Sequence, residues 1–273
     1  MPPVSRAFDF SGFSVRLHGL DEPCAAVLDD AWGLFAGDGG DPVLELEVNF
    51  EGAELPVGII DPAPLDRTIR GKAIGWVSRE GRVEVDERGR GQAVIGTGND
   101  STRAWGLVNL ILPVLAWRLP SLGLFLVHSG AVIVRDRAFV LVGGSGAGKS
   151  TFVEQAAAGG AVAAGEDLNL LLYEGNRWWL AGSPLRNRLG PGPGRWPLAA
   201  LLTPDRGATP ALEPASRLLV SAQLQANLPY IGDCLGAVDG GAALVESLDQ
   251  VPALRLTFAP DPAFVPLLEA WPN

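Results

Sequence analysis

Stretches that alternate apolar and polar residues run through the first hundred positions of the chain. Such alternation has the period of a strand with one face buried, and it predicts five strands, at 13–17, 43–48, 74–77, 82–85 and 91–95. The strands at 74–77 and 82–85 are separated by a short polar stretch that ends in Gly81, so they are predicted to pair as a hairpin. Residues 24–35 carry apolar side chains at helical spacing, and a glycine cluster follows them, which predicts one helix.

The rest of the chain predicts a succession of helices and strands. Asn99 to Thr102 offer N-cap side chains in front of a long apolar run, so a buried helix is predicted up to Leu119. Strands are predicted at 124–128, 131–134, 138–142, 161–164, 168–172 and 198–202, and helices at 151–158 and 215–225. This order predicts an α/β fold, with a β-rich N-terminal region over 1–100 and a second domain over 101–273. The N-terminal region either binds substrate or completes the sheet of the second domain.

Composition excludes several classes of protein. The 273 residues (28.6 kDa) are 47% hydrophobic and 19% charged, the opposite of a disordered chain, and they suffice for one large domain or two modest ones. Acidic residues number 31 and basic residues 21, and the resulting net charge of −10 argues against nucleic acid as a partner. Cys24 and Cys234 lie far apart without metal-ligand spacing, as expected of free thiols in a cytoplasmic protein.

No segment predicts export or insertion into a membrane. The N-terminus lacks the charged-then-apolar order of a signal peptide. The most apolar stretch, residues 107–127, is interrupted by Asn109, Pro113, Arg118 and Pro120. A membrane-spanning helix needs about 20 apolar residues nearly without a break. We therefore expect this stretch to lie in a core, and the protein to be cytoplasmic and to have no membrane partner.

The strongest chemical signal follows the predicted strand at 138–142. The next nine residues satisfy the pattern G-x-x-x-x-G-K-S/T of a phosphate-binding loop, and they are Gly143, Gly144, Ser145, Gly146, Ala147, Gly148, Lys149, Ser150 and Thr151. Glycine lets such a loop turn its backbone N–H groups toward phosphate oxygens. Lys149, one of only two lysines, is suited to reach the β- and γ-phosphates, and Ser150 can offer its hydroxyl to Mg²⁺. The loop therefore predicts a nucleotide and Mg²⁺ as ligands.

An acidic pair follows the loop after an unusually short interval. Glu166 and Asp167 come 17 and 18 residues after Lys149, between the predicted strands at 161–164 and 168–172. Because both strands leave the same loop–helix unit, the pair is expected beside the phosphate site, where one carboxylate can hold Mg²⁺ and the other can accept a proton. The chain contains neither the Leu-Ser-Gly-Gly-Gln signature of ABC-type ATPases nor the Asn-Lys-x-Asp motif of Ras-type GTPases.

Four weaker candidates accompany these motifs. His128, at the end of a predicted strand, either lies near the reacting phosphate or is a hydrogen-bonded histidine at a strand end. Arg186 and Arg188 either clamp the transferring phosphate or the substrate, or are solvated loop side chains. Arg206 follows a predicted strand, and it either belongs to the scaffold or points at the nucleotide.

The histidine, the loop and the acidic pair together resemble the catalytic domain of the HPr kinase/phosphorylase family, over roughly residues 120–185. In that family a histidine precedes the loop and a pair of aspartates follows it, at the spacings seen here. The resemblance implies a P-loop kinase core akin to that of phosphoenolpyruvate carboxykinase, built on a mixed sheet. It also implies that Asp167 accepts the proton of a substrate serine, that His128 and Lys149 support catalysis, and that Ser150 contacts Mg²⁺.

The sequence departs from this family at two places. Glu166 stands where the family has its first aspartate, and this longer carboxylate still suits a metal ion, with shifted geometry. The family's Glu-Ile-Arg-Gly-Leu-Gly stretch is absent, and residues 182–188 with a glycine–proline loop stand in its place. This arrangement resembles the shorter HPr-kinase-like proteins of biosynthetic and lasso-peptide clusters, whose substrates are not HPr. It argues against HPr as the substrate and against a reverse phosphorylase reaction.

The sequence therefore predicts an ATP- and Mg²⁺-dependent kinase that phosphorylates a hydroxyl, a serine of a peptide or protein. Two alternatives stay open. One is a nucleotide-binding regulatory module that does not turn over, and the other is a kinase for a small hydroxylated metabolite. A compact pocket beside Asp167 would favour the metabolite, whereas an open groove would favour a peptide. The sequence does not identify the acceptor, and it does not decide between a monomer and an oligomer.

Overall fold

The computed structural model describes residues 2–37, 40–55, 66–70, 73–187, 190–230, 244 and 248–272. Contacts within the chain divide it into two units: the first runs to Leu119 and also includes Tyr230, and the second contains the other described residues from Pro120 onward. The first unit therefore includes the long apolar helix that begins near residue 100, whereas the sequence analysis placed the boundary N-terminal to that helix. The helix belongs to the first unit because its apolar side chains pack against other elements of that unit.

The first unit is a seven-stranded sheet with two helices. The strands are β1 (Val4–Asp9), β2 (Ser14–Leu20), β3 (Leu44–Glu54), β4 (Asp66–Arg70), β5 (Ala73–Ser78), β6 (Gly81–Val85) and β7 (Arg90–Thr97), and the helices are α1 (Glu22–Trp32) and α2 (Asp100–Arg118). They lie in the order β1-β2-β3-β7-β6-β5-β4, with β3 parallel to β2 and to β7 and the other neighbours antiparallel. All five predicted strands are present, and the predicted hairpin is formed by β5 and β6.

Helix α2 is long and largely buried. Its N-cap is Asn99, whose side-chain oxygen accepts a hydrogen bond from Thr102 N at 2.8 Å. The helix packs against α1 and against β5, β6 and β7. Among the described residues, Asp100–Leu122 is the one helical stretch whose length and composition would allow it to cross a membrane, and 67% of its apolar window is buried within the protein. That the protein has no membrane partner stays a prediction.

The second unit is a mixed α/β structure. Its strands are β8 (Leu124–Val134), β9 (Arg137–Val142), β10 (Val162–Gly165), β11 (Leu168–Glu174), β12 (Arg177–Ala181), β13 (Arg195–Arg206), β14 (Ala211–Pro214) and β15 (Ala253–Phe258), and its helices are α3 (Lys149–Ala158), α4 (Arg217–Ala226) and α5 (Val265–Glu269). The eight strands form one sheet in the order β10-β8-β11-β12-β13-β15-β14, and β9 pairs with both β8 and β13. β13 is parallel to β9 and to β15, while the other pairs are antiparallel, so the sheet is mixed.

β8 and β13 extend well beyond the strands that the sequence predicted. β8 runs without a break through Ser129 and Gly130, where one predicted strand ends and the next has not begun. It continues because its first half pairs with β11 and its second half pairs with β9 and β10. β13 runs on to Arg206, beyond the predicted end at residue 202, because its last residues pair with β15 in parallel register.

Both faces of the sheet carry buried side chains, which fixes the helices on either side. Val140 of β9 belongs to an apolar cluster with Val220 and Leu224 of α4. The next residue, Leu141, points to the other face and belongs to a cluster with Phe152 of α3. Helix α3 is therefore packed on the sheet directly after the strand that leads into it.

Candidate functional site

The predicted phosphate-binding loop joins β9 to α3. β9 ends at Val142 and α3 begins at Lys149, so strand, loop and helix follow in the order that the motif requires. Gly146 and Gly148 have φ angles of +73° and +98°, a left-handed conformation that a side chain disfavours. A Cβ atom built on Gly144 or on Gly146 would meet no other atom within 4 Å. The loop therefore leaves free space beside its backbone, where a ligand group could lie.

Lys149 folds back onto the loop that precedes it. Its Nζ donates to the carbonyl oxygen of Gly143 at 2.8 Å and to that of Gly144 at 3.1 Å, and the residue is 7% exposed. Burial lowers the pKa of the Lys149 ammonium, and the negative charge of Asp167 opposes this shift. The cation is thus held by neutral carbonyl oxygens, which a phosphate oxygen can replace with a stronger, charge-assisted bond.

Strand β8 brings the loop and the acidic pair to one place. Ser129 pairs with Val142, the last residue of β9, and His128 pairs with Leu168, the first residue of β11. The backbone N–H of Ser129 also donates to the carbonyl oxygen of Asp167 at 2.9 Å. The glycine loop and the acidic turn therefore both join strands at the same point of β8.

The carboxylate of Asp167 has a basic side chain at each of its oxygens. Oδ1 lies 3.3 Å from Nδ1 of His128, and Oδ2 accepts a hydrogen bond from Nε of Arg186 at 3.2 Å. The Asp167 side chain is 28% exposed and that of Arg186 is 18% exposed, while His128 is 48% exposed. Three residues that the sequence analysis singled out separately are thus in contact, in an arrangement that solvent can reach.

Burial favours the neutral form of the His128 imidazole. It lowers the pKa of His128, the carboxylate of Asp167 opposes this shift, and the positive charges of Lys149 and Arg186 add to it. In the neutral form, the imidazole can donate an Nδ1–H to Asp167 Oδ1 and leave Nε2 as an acceptor.

Two asparagines that the sequence analysis did not single out hold the acidic turn. The side-chain oxygen of Asn187 accepts from the backbone N–H of Asp167 at 3.0 Å, and its Nδ2 donates to the carbonyl oxygen of Leu168 at 2.5 Å. Asn169, 2% exposed, donates from Nδ2 to the carbonyl oxygen of Ser129 at 2.7 Å. Asparagine has no spacing signal in a sequence, because its amide serves turns and caps as readily as a buried network.

Gly165 makes room for these asparagines. A Cβ built on Gly165 would overlap the side-chain oxygen of Asn169 and would lie 2.8 Å from Nδ2 of Asn187. The carbonyl oxygen of Gly165 also accepts from Asn169 Nδ2 at 3.3 Å. The residue before the acidic pair must therefore lack a side chain for the pair to be held in this way.

Ser150 and Glu166 carry the oxygen atoms that the sequence analysis assigned to Mg²⁺. Ser150 is exposed as the second residue of α3, and Glu166 is half-buried beside Asp167 in the acidic turn. Mg²⁺ prefers hard oxygen ligands, and in nucleotide sites it combines one or two protein oxygens with phosphate oxygens. A hydroxyl and a carboxylate fit that donor set. Within the described parts of the chain, no three His, Cys, Asp or Glu side chains lie close enough to hold a metal ion by themselves.

The remaining candidates differ in where they lie. Arg206, at the end of β13, donates from Nη2 to the carbonyl oxygen of Gly146 at 3.0 Å, so it contacts the glycine loop. Ser145 is exposed and Thr151 is half-buried in the first turn of α3. Arg188, which was paired with Arg186 in the sequence analysis, lies outside the described residues.

Comparisons with known proteins assign no family to this chain. No family model matches it, and no curated protein matches it in sequence. Solved structures that match it include the HPr(Ser) kinase/phosphatase from Coxiella burnetii, with 12% sequence identity, a TM-score of 0.29, and coverage of 54% of this chain and 92% of that chain. A likeness of this size carries no argument about activity. The chemistry of the site has to be judged from its own side chains.

Proposed function

We propose that the protein is an ATP- and Mg²⁺-dependent kinase that transfers the γ-phosphoryl group to a hydroxyl, a serine of a peptide or protein. The observation that carries this proposal is that β8 brings the glycine loop and Asp167 together, because Ser129 pairs with Val142 at the start of the loop and donates its N–H to the carbonyl oxygen of Asp167 at 2.9 Å. A cation suited to phosphate and a carboxylate suited to a proton are the two groups that phosphoryl transfer to a hydroxyl requires.

The loop and the start of α3 would bind the phosphates. Lys149 would exchange the carbonyl oxygens of Gly143 and Gly144 for oxygens of the β- and γ-phosphates. The first N–H groups of α3 lack partners within the helix and lie at the positive end of its dipole, where an anion is stabilised. Ser150 and Glu166 would hold Mg²⁺, which when bound neutralises part of the charge that develops on the phosphate oxygens.

Asp167 would accept the proton of the acceptor hydroxyl. As the hydroxyl oxygen forms its bond to the γ-phosphorus, its proton passes to Asp167, and the bond from the γ-phosphorus to the bridging oxygen breaks. The electron pair of that bond stays on ADP, where Lys149 stabilises the new charge, and Asp167 later returns the proton to solvent. His128 would orient the carboxylate through Nδ1, at 3.3 Å from Oδ1. Its exposure favours an acceptor carried by a large molecule over one enclosed in a small pocket.

One observation favours a second candidate function, a nucleotide-binding module that does not turn over. Both oxygens of Asp167 are engaged, one beside His128 and the other with Arg186. An acceptor hydroxyl would have to compete with these partners for the carboxylate. A module of this kind would bind Mg²⁺-ATP through the same loop and change its affinity for a partner without transferring phosphate.

Labelled ATP separates these two functions. The purified protein is incubated with Mg²⁺, γ-labelled ATP and serine-containing peptides encoded beside its gene, with Lys149→Ala and Asp167→Asn as parallel samples. A kinase labels a peptide only in the wild type, and Asp167→Asn keeps ATP binding while it loses transfer. If no candidate acceptor is labelled although the wild type binds Mg²⁺-ATP tightly, the kinase proposal is wrong and the binding module is favoured.

A further inference from the structure

A strained turn holds Arg186 against Asp167. Arg186 has a φ of +55°, a left-handed backbone conformation that is costly for a residue with a side chain. Its neighbours fix this conformation, because Leu185 is fully buried and donates its N–H to Ser183 Oγ at 3.2 Å, while Asn187 accepts from the N–H of Asp167 at 3.0 Å. The chain maintains an unfavourable backbone conformation at the residue whose guanidinium reaches the carboxylate.

The ion pair between Arg186 and Asp167 conflicts with the role proposed for that carboxylate. The guanidinium occupies one acceptor position of Oδ2, while His128 lies beside Oδ1. An acceptor hydroxyl that approaches Oδ2 therefore competes with the guanidinium for the same oxygen. A second binding place for Arg186 would leave Oδ2 open to the hydroxyl.

We propose, on the basis of the function proposed above, that Arg186 senses the γ-phosphate: it pairs with Asp167 in the nucleotide-free protein and moves to the γ-phosphate when ATP binds. A phosphate offers a guanidinium two parallel, doubly charged contacts, whereas the contact with Asp167 is made through Nε. Arg186 contacts Asp167, whose carbonyl oxygen accepts from the N–H of Ser129, and Ser129 pairs with Val142 directly before the glycine loop, so the guanidinium and the loop lie at the same point of β8. ADP has no γ-phosphate and leaves the pair with Asp167 in place.

The consequence of this exchange is an order of events. Asp167 is freed to accept a proton only while a transferable phosphate is bound. The two sites are then coupled, and by linkage whatever weakens the pair with Asp167 must strengthen the binding of the γ-phosphate. This reciprocity gives the proposal a test that does not depend on knowing the acceptor.

Calorimetry with Mg²⁺-ADP and with Mg²⁺-AMP-PNP, an uncleaved analogue that keeps a γ-phosphate, measures the sensor directly. Arg186→Gln is expected to weaken the binding of Mg²⁺-AMP-PNP about tenfold, the effect of one charge-assisted hydrogen bond, and to leave the affinity for Mg²⁺-ADP unchanged. Arg186→Lys keeps the positive charge without the planar pair of donors, so it should retain part of the preference for the analogue. Arg195→Gln, which removes an exposed arginine paired with Glu174, serves as the matched control and should change neither affinity.

A double-mutant cycle with Asp167→Asn tests the exchange itself. In protein that keeps Arg186, Asp167→Asn is expected to raise the affinity for Mg²⁺-AMP-PNP several-fold, because the guanidinium no longer has to break its ion pair with Asp167. In the Arg186→Gln background the same substitution should give a much smaller gain, since only the repulsion between carboxylate and phosphate is removed. Equal gains in the two backgrounds would overturn the proposal, because repulsion alone would then explain the effect.

The other outcomes are equally decisive. If Arg186→Gln weakens ADP and the analogue alike, Arg186 supports the fold of the loop and does not sense the γ-phosphate, even though the proposed kinase function stands. If the wild type binds neither ligand, the proposed function and the sensor fail together. Circular dichroism identifies a variant that does not fold, and in that case Arg186→Lys must still show the reduced preference for the proposal to survive.

Discussion

The glycine loop at Gly143–Gly148 and the acidic turn at Glu166–Asp167 meet at one point of β8, but different contacts hold them. Within the loop, Ala147 N donates to the carbonyl oxygen of Gly144 at 3.2 Å, and the next residue after the loop, Lys149, bonds to two of its carbonyl groups. The acidic turn is held instead by side chains and backbone from other parts of the chain, namely His128, Ser129, Asn169, Arg186 and Asn187.

This difference separates a locally determined site from one that depends on tertiary structure. A short loop that is held mainly by its own backbone and by Lys149, with one further contact from Arg206, and that has free space beside Gly144, can change at one residue without disturbing the rest of the fold. A turn held by distant side chains moves when any of them moves. Substitutions around the acidic turn are therefore expected to affect stability and activity together, whereas substitutions in the loop should affect ligand binding alone.

Gly165→Ala is expected to have the largest effect. The added methyl group would overlap the side-chain oxygen of Asn169 and approach Nδ2 of Asn187 to 2.8 Å, so both asparagines must shift, and Asp167 with them. Overpacking of this kind costs about 1–3 kcal/mol, and we expect a loss near 3 kcal/mol in urea unfolding. Phosphoryl transfer should fall while binding of Mg²⁺-ATP is kept.

Gly33→Ala is the control for that experiment. A Cβ at Gly33 would meet no atom within 4 Å, and its φ of −58° suits any residue. This variant should unfold within about 0.5 kcal/mol of the wild type. If Gly165→Ala were as stable as Gly33→Ala, the asparagines would not hold the acidic turn in the way described here.

Asn169→Ala should have the next largest effect. Asn169 is 2% exposed, and its Nδ2 donates to the carbonyl oxygens of Ser129 and Gly165 at 2.7 Å and 3.3 Å. Removal of the amide leaves buried acceptors without this donor, which costs about 1–3 kcal/mol. We expect about 2 kcal/mol in urea unfolding, with a similar loss for Asn169→Asp, since a carboxylate cannot donate. A free energy of unfolding equal to that of the wild type in both variants would contradict this account.

The sequence predicts the loop better than the acidic turn for the same reason. The motif names the residues of the loop in order, and the strand before it and the helix after it lie where the hydrophobic pattern places them. For the acidic turn, the pattern gives the carboxylates but not their partners. Asn169 and Asn187 belong to no motif, and the positive φ of Arg186 cannot be inferred from a residue that is not glycine.

The longer strands and the unit boundary could not be predicted for a related reason. Ser129 and Gly130 interrupt an apolar pattern in the sequence, yet β8 continues through them because strands on both sides pair with it. Helix α2 closely precedes the strands that lead into the glycine loop but packs with the strands of the first unit. In each case the partner that decides the structure lies far along the chain.

Gly144→Ala tests whether a substitution in the glycine loop affects ligand binding alone. A Cβ at Gly144 would meet no atom within 4 Å, so we expect the free energy of unfolding to stay within about 0.5 kcal/mol of the wild type. If phosphates occupy the free space beside the loop, the methyl group should lower the affinity for Mg²⁺-ATP about tenfold, by steric exclusion and loss of contact. Calorimetry measures the affinity. An unchanged affinity would mean that the nucleotide does not lie against this part of the loop.

His128→Asn should have the smallest effect on stability, and this effect is seen in the pH dependence of unfolding. Burial lowers the pKa of His128 in the folded protein, with Lys149 and Arg186 adding to the shift and Asp167 opposing it. As the pH falls from the ordinary value of about 6.5 toward the lower pKa of the folded state, the unfolded chain binds a proton that the folded protein does not. Folding is therefore progressively destabilised by acid through this residue.

His128→Asn removes this contribution. Its melting temperature should decline less than that of the wild type as the pH falls from about 7 to about 5. Above about pH 7.5 the melting temperatures of the two proteins should change in parallel, because His128 is then neutral in both the folded and the unfolded state. Thermal unfolding at several pH values measures the difference. Parallel curves over the whole range would mean that His128 is no more desolvated in the folded protein than in the unfolded chain, and that the acidic turn is open to water on its imidazole side.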